Sequence, residues 1–145
     1  ADSLHFGTFQ DATPGETYTF TLEAAGTKVM GIDAYYIKND HTGKYLCKSA
    51  EENNNTADLY LADKAEATAW AVFKAAEHTD LTGYEGTRDI PDEAMQIMTL
   101  GADGTTPYYI TYNGVFSIVY KSMFPDMFWY IDQTMAMTTV DAQTW

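Results

Sequence analysis

The chain has 145 residues, of which 46% are hydrophobic and 14% aromatic, a composition typical of one folded domain and not of a disordered segment. It carries 21 acidic and 8 basic residues, for a net charge of −13, and Arg88 is the single arginine. Nucleic-acid binding depends on clustered lysine and arginine side chains, and the sequence contains no such cluster. We therefore expect neither DNA nor RNA as a partner. No apolar run approaches the roughly 20 residues of a membrane-spanning helix, so we expect no membrane insertion.

The first strand is predicted at 17–22, where Tyr18, Phe20 and Leu22 alternate with three threonines. Gly26 is interpreted as the turn that follows this strand. Further strands are predicted at Ala34–Lys38, Lys44–Ser49, Leu59–Leu61, Tyr108–Tyr112 and Val115–Tyr120. Tight turns are predicted at 41–43, 103–104 and 113–114, the last of which is an Asn-Gly pair typical of hairpins.

Two later segments carry helix signals. Residues 63–77 are rich in Ala, Glu and Lys, which favours a helix. Trp70 and Val72, however, would share one face of an extended chain, and we predict a strand for Ala69–Phe73. Residues 90–93 are predicted to start a short helix, since proline is favoured at the first helical position.

An internal repeat connects the two halves of the chain at an offset of 73 residues. The matching positions are Tyr35-Tyr36-Ile37 with Tyr108-Tyr109-Ile110 and Lys48-Ser49 with Lys121-Ser122, and Trp70 has a looser counterpart in Trp145, two residues beyond this offset. This ordered series predicts duplicated structure within a single β domain that spans 1–145, with repeat units at about 34–73 and 107–145.

The first repeat unit resembles one lobe of a β-trefoil, the family that includes ricin-type lectins, fascin-like domains and small protease inhibitors. The resemblance is carried by Tyr36-Ile37-Lys38-Asn39, Thr42-Gly43-Lys44-Tyr45-Leu46, Leu59–Leu61 and Ala69–Phe73. Gln143-Thr144-Trp145 matches the family's Gln-x-Trp signature, whereas the first copy has Thr68-Ala69-Trp70. The lobe is also similar to modules in large secreted or surface proteins of gut Bacteroidetes.

The resemblance implies an all-β fold, a β-trefoil-like barrel with at most one or two short helices. Two of the family's three lobes are found, so an incomplete trefoil, another small β-barrel and a β-sandwich stay open as alternatives. The chain begins at Ala1 without an initiator methionine, which predicts a mature protein that is secreted or displayed at the cell surface.

Aromatic residues concentrate in the C-terminal third of the chain. Consecutive strand residues point to opposite faces, so Phe128, Trp129 and Tyr130 cannot all enter one core. Sugar rings stack on exposed aromatic rings while neighbouring polar groups bind the hydroxyls, and protein partners use the same anchors. The predicted ligand-binding residues are Tyr112, Asn113, Asp126 and Trp129.

Signals for catalysis are absent from the sequence. The three histidines lack metal-ligand spacing, no serine lies in a Gly-x-Ser-x-Gly motif, and Cys47 fits a half-buried packing position between Leu46 and Lys48. Glu85, Asp89, Asp92 and Glu93 form an oxygen-rich loop without a calcium-binding motif. We therefore predict no catalytic residues, no metal site and no cofactor.

Three non-enzymatic functions remain. The first is a carbohydrate-binding module, and its partner is a glycan. The second is a trefoil-type protease inhibitor that presents Arg88 from the loop Glu77–Asp92. The third is a structural or protein-interaction module of a larger surface protein.

Overall fold

A computed structural model of the chain describes residues 20–40, 42–82 and 89–110 in full and the backbone of 118–120, 128–131 and 137–140. This part of the chain is all-β, with two three-residue 3₁₀ helices, Lys64–Glu66 and Ala75–Glu77. The ten strands are β1 (Phe20–Val29), β2 (Ile32–Asn39), β3 (Tyr45–Asn53), β4 (Thr56–Ala62), β5 (Trp70–Lys74), β6 (Met95–Leu100), β7 (Pro107–Ile110), β8 (Ile118–Tyr120), β9 (Phe128–Ile131) and β10 (Met137–Val140).

All strand pairs are antiparallel within the described part of the chain. The pairings connect seven strands in a circuit that runs β2, β3, β4, β8, β7, β6, β5 and back to β2. The link between β2 and β3 is a single pair, Lys38 with Tyr45. β1 flanks β2, and the β9–β10 hairpin joins β6 through the pair of Met95 and Trp129.

The main hydrophobic core draws side chains from every circuit strand whose side chains are described. Its buried members are Phe20, Ile37, Leu46, Ala57, Leu59, Trp70, Val72, Ile97, Tyr108 and Ile110. Trp70 is fully buried, and its indole N–H donates to the carbonyl oxygen of Leu46 at 3.2 Å. Because that hydrogen bond satisfies the one polar group of the ring, Trp70 fills the core without leaving a buried donor unpaired.

A second core lies on the opposite face of the same strands. It contains Val29, Ile32, Ala34, Ala71, Phe73, Met98 and Tyr109. The Tyr109 hydroxyl donates to the carbonyl oxygen of Leu81 at 2.6 Å, and burial raises the pKa of Tyr109. Central strands such as β5 are therefore buried on both faces, whereas β1 alternates only in part.

The predicted strands in the described part are confirmed as β2, β3, β4 and β7, and Ala69–Phe73 is found as Trp70–Lys74. The prediction that Gly26 ends the first strand is wrong. β1 continues to Val29, and Gly26, with φ of 76°, lies in a bulge where the β1–β2 register shifts between Ala24 and Lys28. A glycine at positive φ serves a bulge as well as it serves a turn.

The helix predicted to start at 90–93 is also absent from the described residues. Those residues form a turn in which the Ala94 N–H donates to the Pro91 carbonyl oxygen at 3.1 Å. In residues 63–77, two 3₁₀ helices flank strand β5, and Trp70 and Val72 point into the main core. Burial of these side chains therefore outweighs the helix propensity of the segment.

The hairpins β2–β3 and β7–β8 share a register at the 73-residue offset. Lys38 pairs with Tyr45, and Ile110 pairs with Val119. Moving the pair of Ile110 and Val119 back by 73 residues gives Ile37 and Leu46, the rung next to Lys38 and Tyr45 in an antiparallel ladder. The two hairpins thus agree in register as well as in sequence.

Trp70→Phe is expected to lower the free energy of unfolding by about 2 kcal/mol, because it removes ring volume from a fully buried position and takes away the indole donor of the Leu46 carbonyl, which keeps only the longer contact from the Thr68 N–H at 3.4 Å. Urea denaturation followed by circular dichroism measures the loss. Met30→Ala is the control, since Met30 is 43% exposed and its truncation removes a side chain that lies largely outside the core. A Trp70→Phe loss no larger than that of the control would contradict this account of the core.

Candidate functional site

A groove opens at one end of the main core, on the same face of the strands. Tyr35 pairs with Trp70 of β5 and with Ala24 of β1, so all three side chains lie on the core face. Two residues further toward the strand ends, this face carries Asp33 on β2 and Val72 on β5, and Lys74 follows two residues after Val72. Side chains on this one face of β2 and β5 therefore fill the core at one end of the strands and line a surface groove at the other end.

The β1 bulge forms the larger part of this groove, a cavity of about 670 Å³. It is lined by Ala24, Gly26, Thr27, Lys28, Asp33, Ala34 and Tyr35. A regular ladder would bring β1 flat against β2, whereas the bulge displaces the strand and leaves this space beside it.

A second cavity of about 280 Å³ continues the groove across β2 to β5. The two cavities share Lys28, Asp33 and Tyr35, so they adjoin each other, and we call the pair of them the Tyr35 groove. Its far end is lined by Val72, Phe73, Lys74 and His78, together with Gly31 and Ile32.

Tyr35 lies at the middle of the groove. Its ring is partly buried, packs against the main core and lines both cavities. Beside it, the Lys28 ammonium contacts an Asp33 carboxylate oxygen at 3.0 Å, with both side chains mostly exposed. The centre of the groove therefore combines one aromatic ring with a donor and an acceptor that are open to water.

The far end of the groove is basic. Lys74 is exposed at the end of β5, and the His78 ring packs edge-on against Phe73 with the ring centroids 5.7 Å apart. Lys74 makes no ion pair with any residue of the described part of the chain.

A separate polar pocket of about 360 Å³ lies where the β3–β4 hairpin meets the β6–β7 turn. Its lining residues are Glu52, Asn54, Asn55, Asp103, Thr106 and Tyr108. Asn54 and Asn55 both have positive φ, 53° and 63°, which matches a two-residue hairpin turn.

An internal ion pair anchors this pocket. The Lys48 ammonium lies 2.5 Å from a Glu52 carboxylate oxygen, with the side chains 6% and 22% exposed. The same oxygen accepts from the Ala102 N–H at 2.8 Å, and the ammonium lies 4.8 Å from the centre of the Tyr108 ring. Glu52 thus ties the β3–β4 hairpin to the β6–β7 turn, and its oxygen is occupied by protein donors.

These contacts shift the pKa values of the pocket. The Lys48 ammonium, followed by the Ala102 N–H, holds the pKa of Glu52 below its ordinary value against the opposing effect of burial. Hydrogen bonds from Thr106 and Thr105 lower the pKa of Asp103 far below its usual range. Burial, and then the nearby Glu52 carboxylate, raises the pKa of Tyr108. The pocket is therefore an internally satisfied charge network.

A third cluster joins β1, β2 and β3 through aromatic rings. The Tyr45 hydroxyl donates to Glu23 at 2.9 Å, and the Lys64 ammonium contacts the same carboxylate at 2.9 Å. Tyr36 packs edge-on against Tyr45, with ring centroids 6.4 Å apart. Because the Tyr45 hydroxyl, the Glu23 carboxylate and the Lys64 ammonium already bind one another, this cluster ties strands together and leaves little charge for a ligand.

Cys47 was expected to be half-buried, and it is fully buried. Its thiol lies 3.4 Å from the carbonyl oxygens of Tyr45 and Glu66, and burial raises its pKa. A buried thiol of raised pKa is a poor nucleophile, so the residue serves packing.

The predicted ligand-binding residues are not brought together in the described part of the chain. Tyr112, Asn113 and Asp126 lie outside the described residues, and the prediction for them is untested. Trp129 is described by its backbone alone, which pairs with Met95 of β6 and Thr139 of β10.

Sequence reasoning missed the residues of the Tyr35 groove, although the repeat analysis included Tyr35. The available signal was alternation: Asp33, Tyr35 and Ile37 share a strand face, as do Val72 and Lys74. Because Gly26 was interpreted as a turn, the bulge that opens the groove was not foreseen.

No group of three or more His, Cys, Asp or Glu side chains suited to a metal ion occurs in the described residues. Asp89, Asp92 and Glu93 belong to that part of the chain, whereas Glu85 lies outside it. Across the same residues, no helix has the length and apolar character needed to cross a bilayer.

Comparison with known proteins gives no relative for this chain: no protein-family model, curated protein or solved structure matches it. The groove and the pockets therefore stand as the basis for a functional argument.

Glu52→Gln is expected to lower the free energy of unfolding at pH 7 by about 1–3 kcal/mol, because the enclosed Lys48 ammonium loses its charged partner. The folded-state pKa of Glu52 is depressed, so its stabilisation is complete above the unfolded value of about 4.3 and is lost as the pH falls through the folded value. The difference between wild type and variant should thus shrink as the pH falls below about 4.3 and through the lower folded-state pKa.

Urea denaturation at a series of pH values measures this difference. Glu51→Gln is the matched control, since Glu51 is the exposed neighbour of Glu52 on the same strand. A Glu52→Gln loss that stays constant with pH, or that equals the control, would show that the Lys48 contact is not the source of stabilisation.

Proposed function

We propose that the protein is a non-catalytic carbohydrate-binding module and that the Tyr35 groove is its ligand site. The observation that carries the proposal is the groove itself: a partly exposed aromatic ring lies beside an open Lys28–Asp33 pair in a depression of about 670 Å³. Ligand sites combine an apolar wall with a few convergent polar groups in this way.

The groove offers a sugar two kinds of contact. The apolar C–H face of a pyranose stacks on Tyr35, with Ala24 on the same face extending the apolar wall. Its hydroxyl groups meet the Asp33 carboxylate as acceptor and the Lys28 ammonium as donor, both charged and therefore strong hydrogen-bonding partners.

The groove also extends beyond the size of one sugar. The second cavity continues it past Tyr35 toward β5, which favours an oligosaccharide that spans two or more units. A polysaccharide chain would run from the β1 bulge, across Tyr35, to the strand end at Lys74.

A non-catalytic role agrees with the carboxylates of the groove. Hydrolysis of a glycosidic bond generally needs two carboxyl groups on either side of the scissile bond. Asp33 is the single carboxylate among the described residues that line the groove, and it is paired with Lys28. The groove is thus equipped to hold a sugar and lacks the second acid for cleaving it.

At the level of the fold, we propose a β-trefoil-like barrel with units at about 34–73 and 107–145. Support comes from the circuit of seven strands around the Trp70 core and from the register shared by the hairpins β2–β3 and β7–β8. A secreted or surface location remains part of the proposal, in line with a glycan partner.

The alternative functions of protease inhibitor and protein-interaction module remain hypotheses. The inhibitor hypothesis depends on Arg88, which lies outside the described residues. The interaction hypothesis fits the edge position of β1, which pairs with β2 alone among the described strands. The Tyr35 groove gives the carbohydrate hypothesis the more specific physical support.

Tyr35→Leu tests the proposal, because leucine keeps apolar volume against the core and removes the flat ring. Wild-type protein is first screened on a glycan array, and affinities for the hits are then measured by isothermal titration calorimetry. We expect Tyr35→Leu to weaken binding about tenfold or more, equivalent to about 1.4 kcal/mol.

Tyr36→Leu is the matched control, since Tyr36 is the adjacent residue on the opposite face of β2 and lies outside the groove. Circular dichroism checks that both variants fold. Absence of binding to any glycan, or an equal loss in the two variants, would refute the assignment of the groove.

A further inference from the structure

We infer that the glycan bound in the Tyr35 groove is anionic and that Lys74, with His78 beside it, receives its acidic group. This inference rests on the proposed function and specifies the class of ligand. It is drawn from the distribution of charge at the far end of the groove.

The first step is the scarcity of positive charge in this protein. Eight basic residues face 21 acidic ones over the whole chain, so a random surface depression would be lined by carboxylates. The second cavity of the groove is instead lined by two lysines, Lys28 and Lys74, and by His78 against one carboxylate, Asp33. Lysines thus outnumber carboxylates in this part of the surface, whereas the whole chain has a net charge of −13.

The second step is the pairing of the lysines. Four of the six lysines in the described residues form ion pairs: Lys28 with Asp33, Lys44 with Asp63, Lys48 with Glu52 and Lys64 with Glu23. A fifth, Lys38, lies close enough to Glu23 to lower the pKa of that carboxyl.

Lys74 differs from these five. It forms no ion pair with a described residue, and the Asp33 carboxylate that shares the groove is already held by Lys28 at 3.0 Å. Lys74 is therefore the lysine of this part of the chain whose charge is open to a ligand. His78, packed edge-on against Phe73, adds ring nitrogens at the same end of the groove.

The third step is the position of Lys74 relative to the stacking ring. Tyr35 and Val72 line the groove between the β1 bulge and Lys74, so a sugar stacked on Tyr35 points its neighbouring unit toward the ammonium. A carboxylate or sulfate on that unit would accept a charge-assisted hydrogen bond from Lys74. Uronic acids, sialic acids and sulfated sugars all satisfy this requirement, and a neutral sugar does not use it.

The experiment compares carboxylated and sulfated oligosaccharides with neutral counterparts of the same backbone, first on an array and then by calorimetry at one ionic strength. Wild-type protein is expected to prefer the acidic member of the best pair. Lys74→Gln should lower affinity for the acidic member about fivefold and leave affinity for the neutral member unchanged.

Lys44→Gln is the matched control: Lys44 is an exposed lysine outside the groove, and its change alters the net charge equally. An equal loss in both variants would assign the effect to overall charge and overturn the inference. Equal binding of acidic and neutral members overturns the inference and leaves the proposed function in place. Binding of no glycan at all would overturn both the inference and the proposed function. Equal affinity for an acidic peptide would overturn the assignment of the ligand to a glycan.

Discussion

The alternation of side chains along β2 and β5 places the core and the groove on one face of the same strands. Ile37 and Trp70 lie at the enclosed part of this face, and Asp33 and Lys74 lie where it reaches water. Tyr35 occupies the boundary between them. Because the two regions share strands, the packing of Trp70 fixes the position of the groove residues, and a shift of one residue in register would move them all to the other face.

Two irregularities modify this regular pattern, and each has a separate consequence. In β1 the bulge at Gly26 moves the strand away from β2 and opens the groove. In β3 the register with β4 shifts between Lys48 and Glu52, at the place where these two residues form their internal ion pair. One irregularity creates an open surface, and the other is closed by the protein's own charges. This difference is why the groove, and not the Glu52 pocket, is the better candidate for a ligand.

Among the strands whose side chains are described, the sequence predicted β2 to β5 and β7 and missed β6. β2 and β3 were found from their pattern, whereas β6 (Met95–Leu100) is buried on both faces, so it lacks the period of two and was not predicted. Gly26 was misinterpreted because glycine permits both turns and bulges, and a single sequence does not distinguish them. Side-chain burial in the core decided the conflict at 63–77, where helix propensity was overridden.

The site was less predictable than the fold for a geometric reason. The groove residues come from β1, β2 and β5, and they meet only because Ala24, Tyr35 and Trp70 occupy matching rungs of two strand pairs. Local aromatic density, which drew attention to Trp129, contains no information on such cross-strand pairing. Tyr35 looked like an ordinary member of a repeat until its neighbours in space were known.

The acidity of the chain gives the groove a selectivity that a basic protein would lack. At a distance, a net charge of −13 repels anions, and salt screens this repulsion over about 8–10 Å. Within contact distance, the open ammonium of Lys74 outweighs remote carboxylates, because its interaction is short-range and assisted by a hydrogen bond. An anion gains from the groove only if a second contact, the Tyr35 stack, holds it there. Under the proposed function, the combination would therefore disfavour free anions and short acidic peptides and favour a ligand that joins an apolar ring face to an acidic group.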